Sequence, residues 1–370
     1  MQLPQSSEYE KILLASPGLL DVRAPVEFNQ GAFPYAVNLP LLNDDERHQV
    51  GLCYKQKGQD KAIELGHKLV SGNTKENRID QWIAFSKQHN NNIYIYCFRG
   101  GLRSRITQQW LYEAGIEIPR VNGGYKALRR FLVNNLEHAS NHFTFTLLGG
   151  MTGSRKTQLI RDISNGIDLE GAANHRGSSF GAHATPPSSQ INFENLLSID
   201  LLKAKNCGHQ SITLEDESRY IGSVDIPKNI YSKMRTSPLV VVETTIETRL
   251  QQLLKEYVIE MEKEFTELHS DYELAFQEFS SYLTNSLLRI RKRLGINRWQ
   301  VLDKKLQHAL HQHSKYADSS QHMQWLEPLL SEYYDPLYCS QLEARKEFIT
   351  FRGSYDECFQ YLKQSISINN

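Results

Sequence analysis

No pair among the five cysteines, Cys53, Cys97, Cys207, Cys339 and Cys358, is spaced as Cys-x-x-Cys. Neither a zinc ribbon nor a disulfide framework is indicated. No apolar run approaches the ~20 residues that span a bilayer, so no membrane association is expected. The opening residues Met1 to Glu8 lack a basic start followed by an apolar stretch, and no secretory signal is expected. Net charge is absent as well, since 42 basic residues balance 42 acidic ones. A global field for nucleic acid is thereby excluded, and any such contact must come from a local basic patch. Internal repeats and long low-complexity tracts are missing too. These absences imply a soluble, cytoplasmic chain in a reducing compartment, where a free thiol persists.

What is present is ordinary globular material: 370 residues, 40% hydrophobic and 23% charged. That length suggests two or three domains, and three textures are visible. Residues 1–138 alternate β-like runs, Leu19–Val22, Ala36–Leu39 and Ile93–Tyr96, with helical stretches, Asp60–Ser71 and Lys75–Gln88. Such alternation predicts an α/β domain on a parallel sheet. Residues 139–245 hold further strand-like runs at Phe143–Leu148, Ile212–Leu214 and Leu239–Val242, which predict a second α/β domain. Between them Gly171–Ser189 is rich in Gly, Ser, His and Pro and reads as a long functional loop. Residues 246–370 carry apolar residues at helical spacing, from Leu250 to Leu268 and from Leu274 to Leu294. They predict a helical region packed on the second sheet, with Ser365 to Asn370 fraying.

Cys97 follows the Ile93–Tyr96 run directly and precedes a helix predicted from about Ser104 to Ala114. Ligands of open α/β sheets collect at the carboxyl ends of strands. Gly100 and Gly101 let the loop curl so that its N–H groups point inward as an anion cradle. Arg99 and Arg103 add two positive charges. Together these features favour a thiolate, the species that carries sulfur or selenium and attacks phosphorus. The other four cysteines are expected to be buried and inert. The spacing from Cys97 to Arg103-Ser104 also fits the Cys-x5-Arg-Ser loop of cysteine phosphatases, and the bare motif does not separate the two chemistries.

A second anion site follows the Phe143–Leu148 strand. Gly149-Gly-Met-Thr-Gly-Ser-Arg-Lys-Thr157 approximates the phosphate-loop pattern Gly-x4-Gly-Lys-Ser/Thr. Gly150, Lys156 and Thr157 are in place, with Gly153 and Ser154 inside the loop. Arg155 replaces the second glycine, and it would crowd the loop if that position needs a positive φ. Backbone N–H groups would wrap a diphosphate, Lys156 would reach its oxygens, and Thr157 could ligate magnesium. Acidic partners are available in Asp168 and Glu170 and in Glu215-Asp216-Glu217. We expect magnesium, if bound, to use Thr157 with Asp168 or Glu215.

Asp21-Val-Arg-Ala-Pro-Val-Glu-Phe, Gly31-Ala-Phe-Pro34, Asn38-Leu-Pro40 and the Cys97 loop together resemble a rhodanese domain. In that resemblance Asp21 and Arg23 hold the fold together. With the phosphate loop, the stretches Asp168–Gly181 and Leu214–Gly222, and Gly123-Gly-Tyr-Lys-Ala-Leu128, nearly the whole chain resembles the tRNA 2-selenouridine synthase family. The resemblance implies a tRNA substrate bearing a wobble 2-thiouridine derivative. It implies geranylation of the sulfur by geranyl diphosphate, then replacement by selenium from selenophosphate. It also implies Cys97 as the essential cysteine, with Arg99, Arg103, Gly100 and Gly101 serving its loop. Gly150, Gly153, Ser154, Lys156, Thr157, Arg176, Ser178, Ser179 and Arg219 are expected to bind substrate. No tightly bound cofactor is expected, and an enzyme supplying selenophosphate is an expected partner.

For RNA, Arg289, Arg291, Lys292, Arg293 and Arg298 cluster beside Trp299, with a smaller group at Lys126, Arg129 and Arg130. His308, His311 and His313 suggest a metal, but Leu310 and Gln312 continue an ordinary surface helix and no fourth ligand is evident. Two other readings stand beside the transferase. One is a small-molecule sulfurtransferase with a phosphate-loop kinase domain, and the other is an RNA-binding adaptor with degraded sites.

Overall fold

The computed structural model describes residues 3–369. The chain forms two compact units, one of residues 1–138 with 191–203, the other of 139–190 with 204–370. This differs from the linear division into 1–138, 139–245 and 246–370. Residues 191–203 are the body of the helix Gln190–Asn206. They join the first unit because Ile199 and Leu202 enter its apolar core. Polar locks match the packing: Asn195 donates to the Ala32 carbonyl at 2.7 Å and accepts from Arg129 at 2.9 Å, while Asn135 donates to the Ser198 carbonyl at 2.9 Å.

The first unit is built on a parallel sheet in the order β1-β5-β4-β2-β3. Its strands are β1 (Gln5–Ser6), β2 (Gly18–Asp21), β3 (Ala36–Asn38), β4 (Ile93–Tyr96) and β5 (Arg120–Val121). Parallel sheets are covered on both faces and their strands read as continuous apolar runs. Accordingly Leu20, Ile95 and Tyr96 are fully buried. One face packs Trp82, Phe85, Trp110 and Leu111, and the other Leu128, Leu132 and Phe33. The Asp21 carboxylate takes the Arg23 guanidinium through Nε at 2.9 Å and Nη2 at 2.6 Å, and Arg23 Nη2 also donates to the Gly31 carbonyl at 2.8 Å. Arg23 lies 3.9 Å from the Tyr125 ring centroid. Both charges are buried, so the pair ties β2 to the loop after the helix Pro25–Gln30.

The second unit carries a parallel sheet in the order β12-β11-β6-β8-β7 and a small antiparallel ribbon. The sheet strands are β6 (Thr144–Gly150), β7 (Gly166–Ile167), β8 (Ser211–Glu215), β11 (Leu239–Val242) and β12 (Ile349–Gly353), and β9 (Tyr220–Ile221) pairs β10 (Val224–Asp225). β12 comes from the region expected to be wholly helical. It is an edge strand with alternating partial exposure, too short for its period to stand out. The helices between β11 and β12 enclose their own core of Phe180, Tyr257, Phe279, Leu283, Leu287, Leu306 and Trp325. Two π-helical turns, Lys255–Ile259 and Leu330–Tyr334, interrupt them.

Several expectations are corrected here. Of the four cysteines expected to be buried, only Cys358 is, while Cys53 is half-buried and Cys207 and Cys339 are exposed. His313, expected on a surface helix, is 5% exposed and pairs with Glu262 at 3.3 Å. The final helix runs from Tyr355 to Asn369, and Asn370 lies outside the described residues. Among the described residues no helix is long and apolar enough to cross a membrane.

Candidate active site

In the first unit, β4 ends at Tyr96 and the next residue is Cys97, 3% exposed. The helix Leu102–Glu113 starts just beyond and aims its N-terminus at the loop. The Cys97 Sγ lies 3.3 Å from the Ser104 hydroxyl, which itself donates to the Gly101 carbonyl at 3.1 Å. The backbone N–H groups of residues 98 to 104 reach no acceptor among the described residues, as an open anion cradle requires. Carbonyls of the loop, by contrast, are pinned from outside. Tyr125 N–H donates to Cys97 O at 2.9 Å, Lys126 N–H to Phe98 O at 3.0 Å, and Arg120 Nη1 to Gly100 O at 3.0 Å. Gly100 and Gly124 have φ of +62° and +58° and touch backbone to backbone. The glycine pair behind the loop was visible in the sequence. Arg120 was not, because a strand residue far along the chain leaves no local signal.

The two arginines of the loop have different fates. Arg103 is committed to Glu27 through two bonds of 2.5 and 3.1 Å, and Arg47 joins the same carboxylate at 3.2 Å. Burial works against the Glu27 carboxylate, yet Arg103 and the Ala24 N–H hold its pKa below the ordinary value. Arg103 is the arginine of the Cys-x5-Arg spacing, and here it carries a carboxylate partner as well as its interaction with Cys97. Arg99 is exposed, makes no ion pair among the described residues, and lies 6.0 Å from the Phe98 ring.

In the second unit, β6 runs into the phosphate loop and the helix Lys156–Asp162 follows. Lys156 Nζ donates to the Gly150 carbonyl at 2.8 Å and curls over the loop. Arg155 has φ +64°, so the position does require the left-handed conformation that glycine adopts most cheaply. Its guanidinium lies 5.0 Å from the Tyr355 ring. Gly153 has φ +82°, and a β-carbon there would sit 2.5 Å from Leu253 Cδ1 and 2.7 Å from the Arg249 carbonyl oxygen.

A cavity of about 590 Å³ opens over this loop, lined by Gly150, Gly153 to Thr157, Arg176, Ser178 and Ser179. Tyr257, Tyr333, Tyr334, Leu337 and Tyr338 complete the lining. Arg176 Nη2 binds Glu264 at 3.0 Å, while its buried Nη1 has no partner among the described residues. Ser178 meets the Tyr257 hydroxyl at 2.7 Å, and the Ser179 carbonyl accepts from Arg289 at 3.0 Å. Arg219 is not brought to the cavity: it pairs with Asp225 at 2.7 Å and ties the β9–β10 ribbon.

Acidic residues gather beside Thr157, but not the two expected. Asp168 caps the helix Leu169–Ala173 and takes Arg161 at 2.6 Å, and Glu215 accepts the Leu169 N–H at 2.9 Å. Glu170 is the one that reaches Thr157, at 2.8 Å. Burial raises the Glu170 pKa against the pull of Lys156. Burial and then repulsion from Glu170 push Glu217 up to about 8 and Glu215 well above its ordinary value. Among the described residues no group of three or more His, Cys, Asp or Glu side chains could hold a metal ion.

The basic cluster divides between neighbours. Arg289 serves Ser179, Arg291 lies 4.9 Å from the Trp299 ring, and Arg298 faces Glu332 at 3.8 Å. Arg293 lines the cavity and Lys292 is exposed without a partner among the described residues. In the smaller group, Arg129 is taken by Glu194.

These two units define a class: a rhodanese-type cysteine loop and a phosphate loop on one chain. The rhodanese-like domain model matches residues 6–130, and the model described as the tRNA 2-selenouridine synthase AAA domain matches 143–368. The tRNA 2-selenouridine synthase of Serratia proteamaculans is 48% identical over 98% of this chain and 96% of its own length. Those of Pseudomonas fluorescens and Bordetella bronchiseptica are also 48% identical, over 97% and 96% of this chain and 98% and 96% of theirs. The chain belongs to the tRNA 2-selenouridine synthase family and is an enzyme of that kind.

Proposed function

We propose that the protein converts wobble 2-thiouridine derivatives of tRNA to 2-selenouridine in two steps, one served by each anion site. In the first, the thiocarbonyl sulfur attacks C1 of geranyl diphosphate. The C–O bond breaks, diphosphate leaves, and the base loses its N3 proton. In the second, the selenium of selenophosphate attacks C2 and geranyl thiolate leaves, taking a proton to become geranylthiol; water then cleaves the P–Se bond, phosphate departs, and N3 regains its proton. S-alkylation makes the second displacement feasible, because a thiolate leaves more readily than the sulfur of a free thiocarbonyl. The observation that carries this reading is the pairing of an open N–H cradle at Cys97 with a phosphate loop under a cavity of about 590 Å³. Both donors are phosphorus anions. The cavity's wall of Tyr257, Tyr334 and Leu337 suits a hydrocarbon chain extending from a diphosphate held at Lys156.

Magnesium arriving with the diphosphate would use Thr157 and Glu170, which meet at 2.8 Å, a site that phosphate oxygens would complete. Bound there with the diphosphate, it would offset charge on the departing oxygens. Lys292 and Arg293 would meet the tRNA backbone. A supplier of selenophosphate would deliver to the Cys97 loop, and on this reading the work is cytoplasmic, where a thiol stays reduced.

Nucleoside mass analysis of tRNA tests the scheme. Cys97→Ala should stop selenium incorporation and let the S-geranylated nucleoside accumulate. Lys156→Ala should cut geranylation instead. Intact selenation in the Cys97 variant would remove that residue from the mechanism.

A further inference from the structure

Arg249 is 3% exposed and lies under the phosphate loop. Its Nε donates to the Thr152 carbonyl at 2.9 Å, and its Nη1 contacts the Met151 Sδ at 3.1 Å. The same guanidinium grips Asp335 with both Nη atoms, one at 3.1 Å. Gly153, at the loop's apex, rests directly on the Arg249 backbone and on Leu253. A buried ion pair adds little stability over apolar groups of the same size, so stability alone does not account for this one.

Its second partner gives the account. Asp335 begins the stretch Asp335–Glu343, which continues the helix Met323–Leu329 through the π-helical turn Leu330–Tyr334 and has no buried residue of its own. Buried apolar packing holds the helix as far as Leu330 and Tyr333 and not beyond them. The stretch that follows is tied at its first residue by Arg249 and just past its end by Arg345, which is buried and paired with Asp216. Between the pins, Leu337, Tyr338 and Gln341 face the cavity. One guanidinium thus spans the gap between the loop that cradles an anion and the helix that walls the cavity.

We propose that Arg249 and Asp335 are positioning residues of the phosphate site, holding loop and wall at fixed spacing before the diphosphate ligand arrives. Binding to a loop already in place avoids the ordering that a free loop would undergo. Lysine keeps the charge but loses the planar fork, so it cannot hold the Thr152 carbonyl and the carboxylate together. The proposal rests on the reading of this cavity as a diphosphate site.

The experiment uses the full chain, with Arg249→Lys and Asp335→Asn made separately and together and Lys156→Ala as reference. Inorganic diphosphate is titrated by calorimetry, and KM is measured for geranyl diphosphate and for tRNA. Each single variant should weaken diphosphate binding at least tenfold and raise KM for geranyl diphosphate, leaving KM for tRNA unchanged. The double variant should be no worse than the weaker single one, since both cut the same link. Unchanged diphosphate affinity in both folded variants, with only the melting temperature lowered, would overturn the positioning role. Loss in Lys156→Ala alone leaves the phosphate site standing and this proposal refuted. No diphosphate binding by the unaltered chain refutes both.

Discussion

A β-carbon on Gly124 would lie 2.2 Å from the Cys97 carbonyl oxygen and 2.4 Å from the Gly100 nitrogen. The loop that holds the thiol and the turn that precedes the helix Gly124–His142 therefore meet with no side chain between them. With φ +58° at Gly124, alanine costs about 1 kcal/mol in backbone strain, and it must also displace main-chain atoms that cannot swing aside. Gly124→Ala should reduce selenium incorporation more than tenfold while diphosphate titration stays normal. Wild-type selenation in that variant would show that the contact is dispensable.

At Arg155 two effects of similar size oppose each other. Glycine would relieve the left-handed φ of +64°, worth about 1 kcal/mol. It would also forfeit the contact with Tyr355, about 0.5–1 kcal/mol at an exposed site, and add freedom to the unfolded chain. Arg155→Gly should therefore shift stability by less than ~1 kcal/mol, a near-null melt. A stabilisation of several degrees would mean that strain dominates.

Glu217 gives the second unit an unusual alkaline limb. Its folded pKa is pushed up to about 8, first by burial and next by Glu170. The folded state thus holds a proton that the unfolded chain has released above the ordinary carboxylate range near 4.5. This contribution is full below that range, declines as pH rises, and is gone above about 8. Thermal melts of the ligand-free protein from pH 5 to about 9 should fall, and Glu217→Gln should flatten the slope. Equal slopes for the two proteins would place the proton elsewhere.

His322 acts at the other end. It is buried, accepts from Trp325 Nε1 at 2.9 Å, and has its pKa lowered to about 3, by burial and then by His313. A histidine held neutral stabilises the fold above its unfolded value of 6.5 and loses that contribution as pH falls towards 3. Melts should decline below about pH 6.5. His322→Leu should remove this limb but lower the neutral-pH stability by about 1–3 kcal/mol, because the Trp325 N–H is left unpaired. A variant retaining the full acid limb would point to another group.

Local chemistry made much of the site legible. Ile93–Tyr96 is apolar at every position with Cys97 after it, so strand, loop and thiol could be placed from residues alone. The phosphate loop was recognised in spite of Arg155, because the Lys156-Thr157 pair and the strand before it fix the geometry. What the sequence does not record is pairing at a distance. Arg103, a cation expected to serve the thiol, is also paired with Glu27, 76 residues earlier in the chain. Arg219, Asp168 and Glu215 had suitable chemistry but were already occupied by Asp225, by a helix cap with Arg161, and by the Leu169 N–H. Glu170 had no better sequence claim than its neighbours, and only its 2.8 Å contact with Thr157 distinguishes it.

Strand runs, glycines and charged loop residues act over a few neighbouring positions, so the two loops, the parallel α/β character of both sheets and the family are legible in the residue order. Membership of residues 191–203 in the first unit depends instead on long-range packing. The helix Gln190–Asn206 buries Phe193, Leu197, Ile199, Leu201 and Leu202 around much of its circumference, so its pattern names no single partner. The tertiary structure also decided which charges remain free, since an ion pair depends on where the chain brings a partner and no local pattern records that.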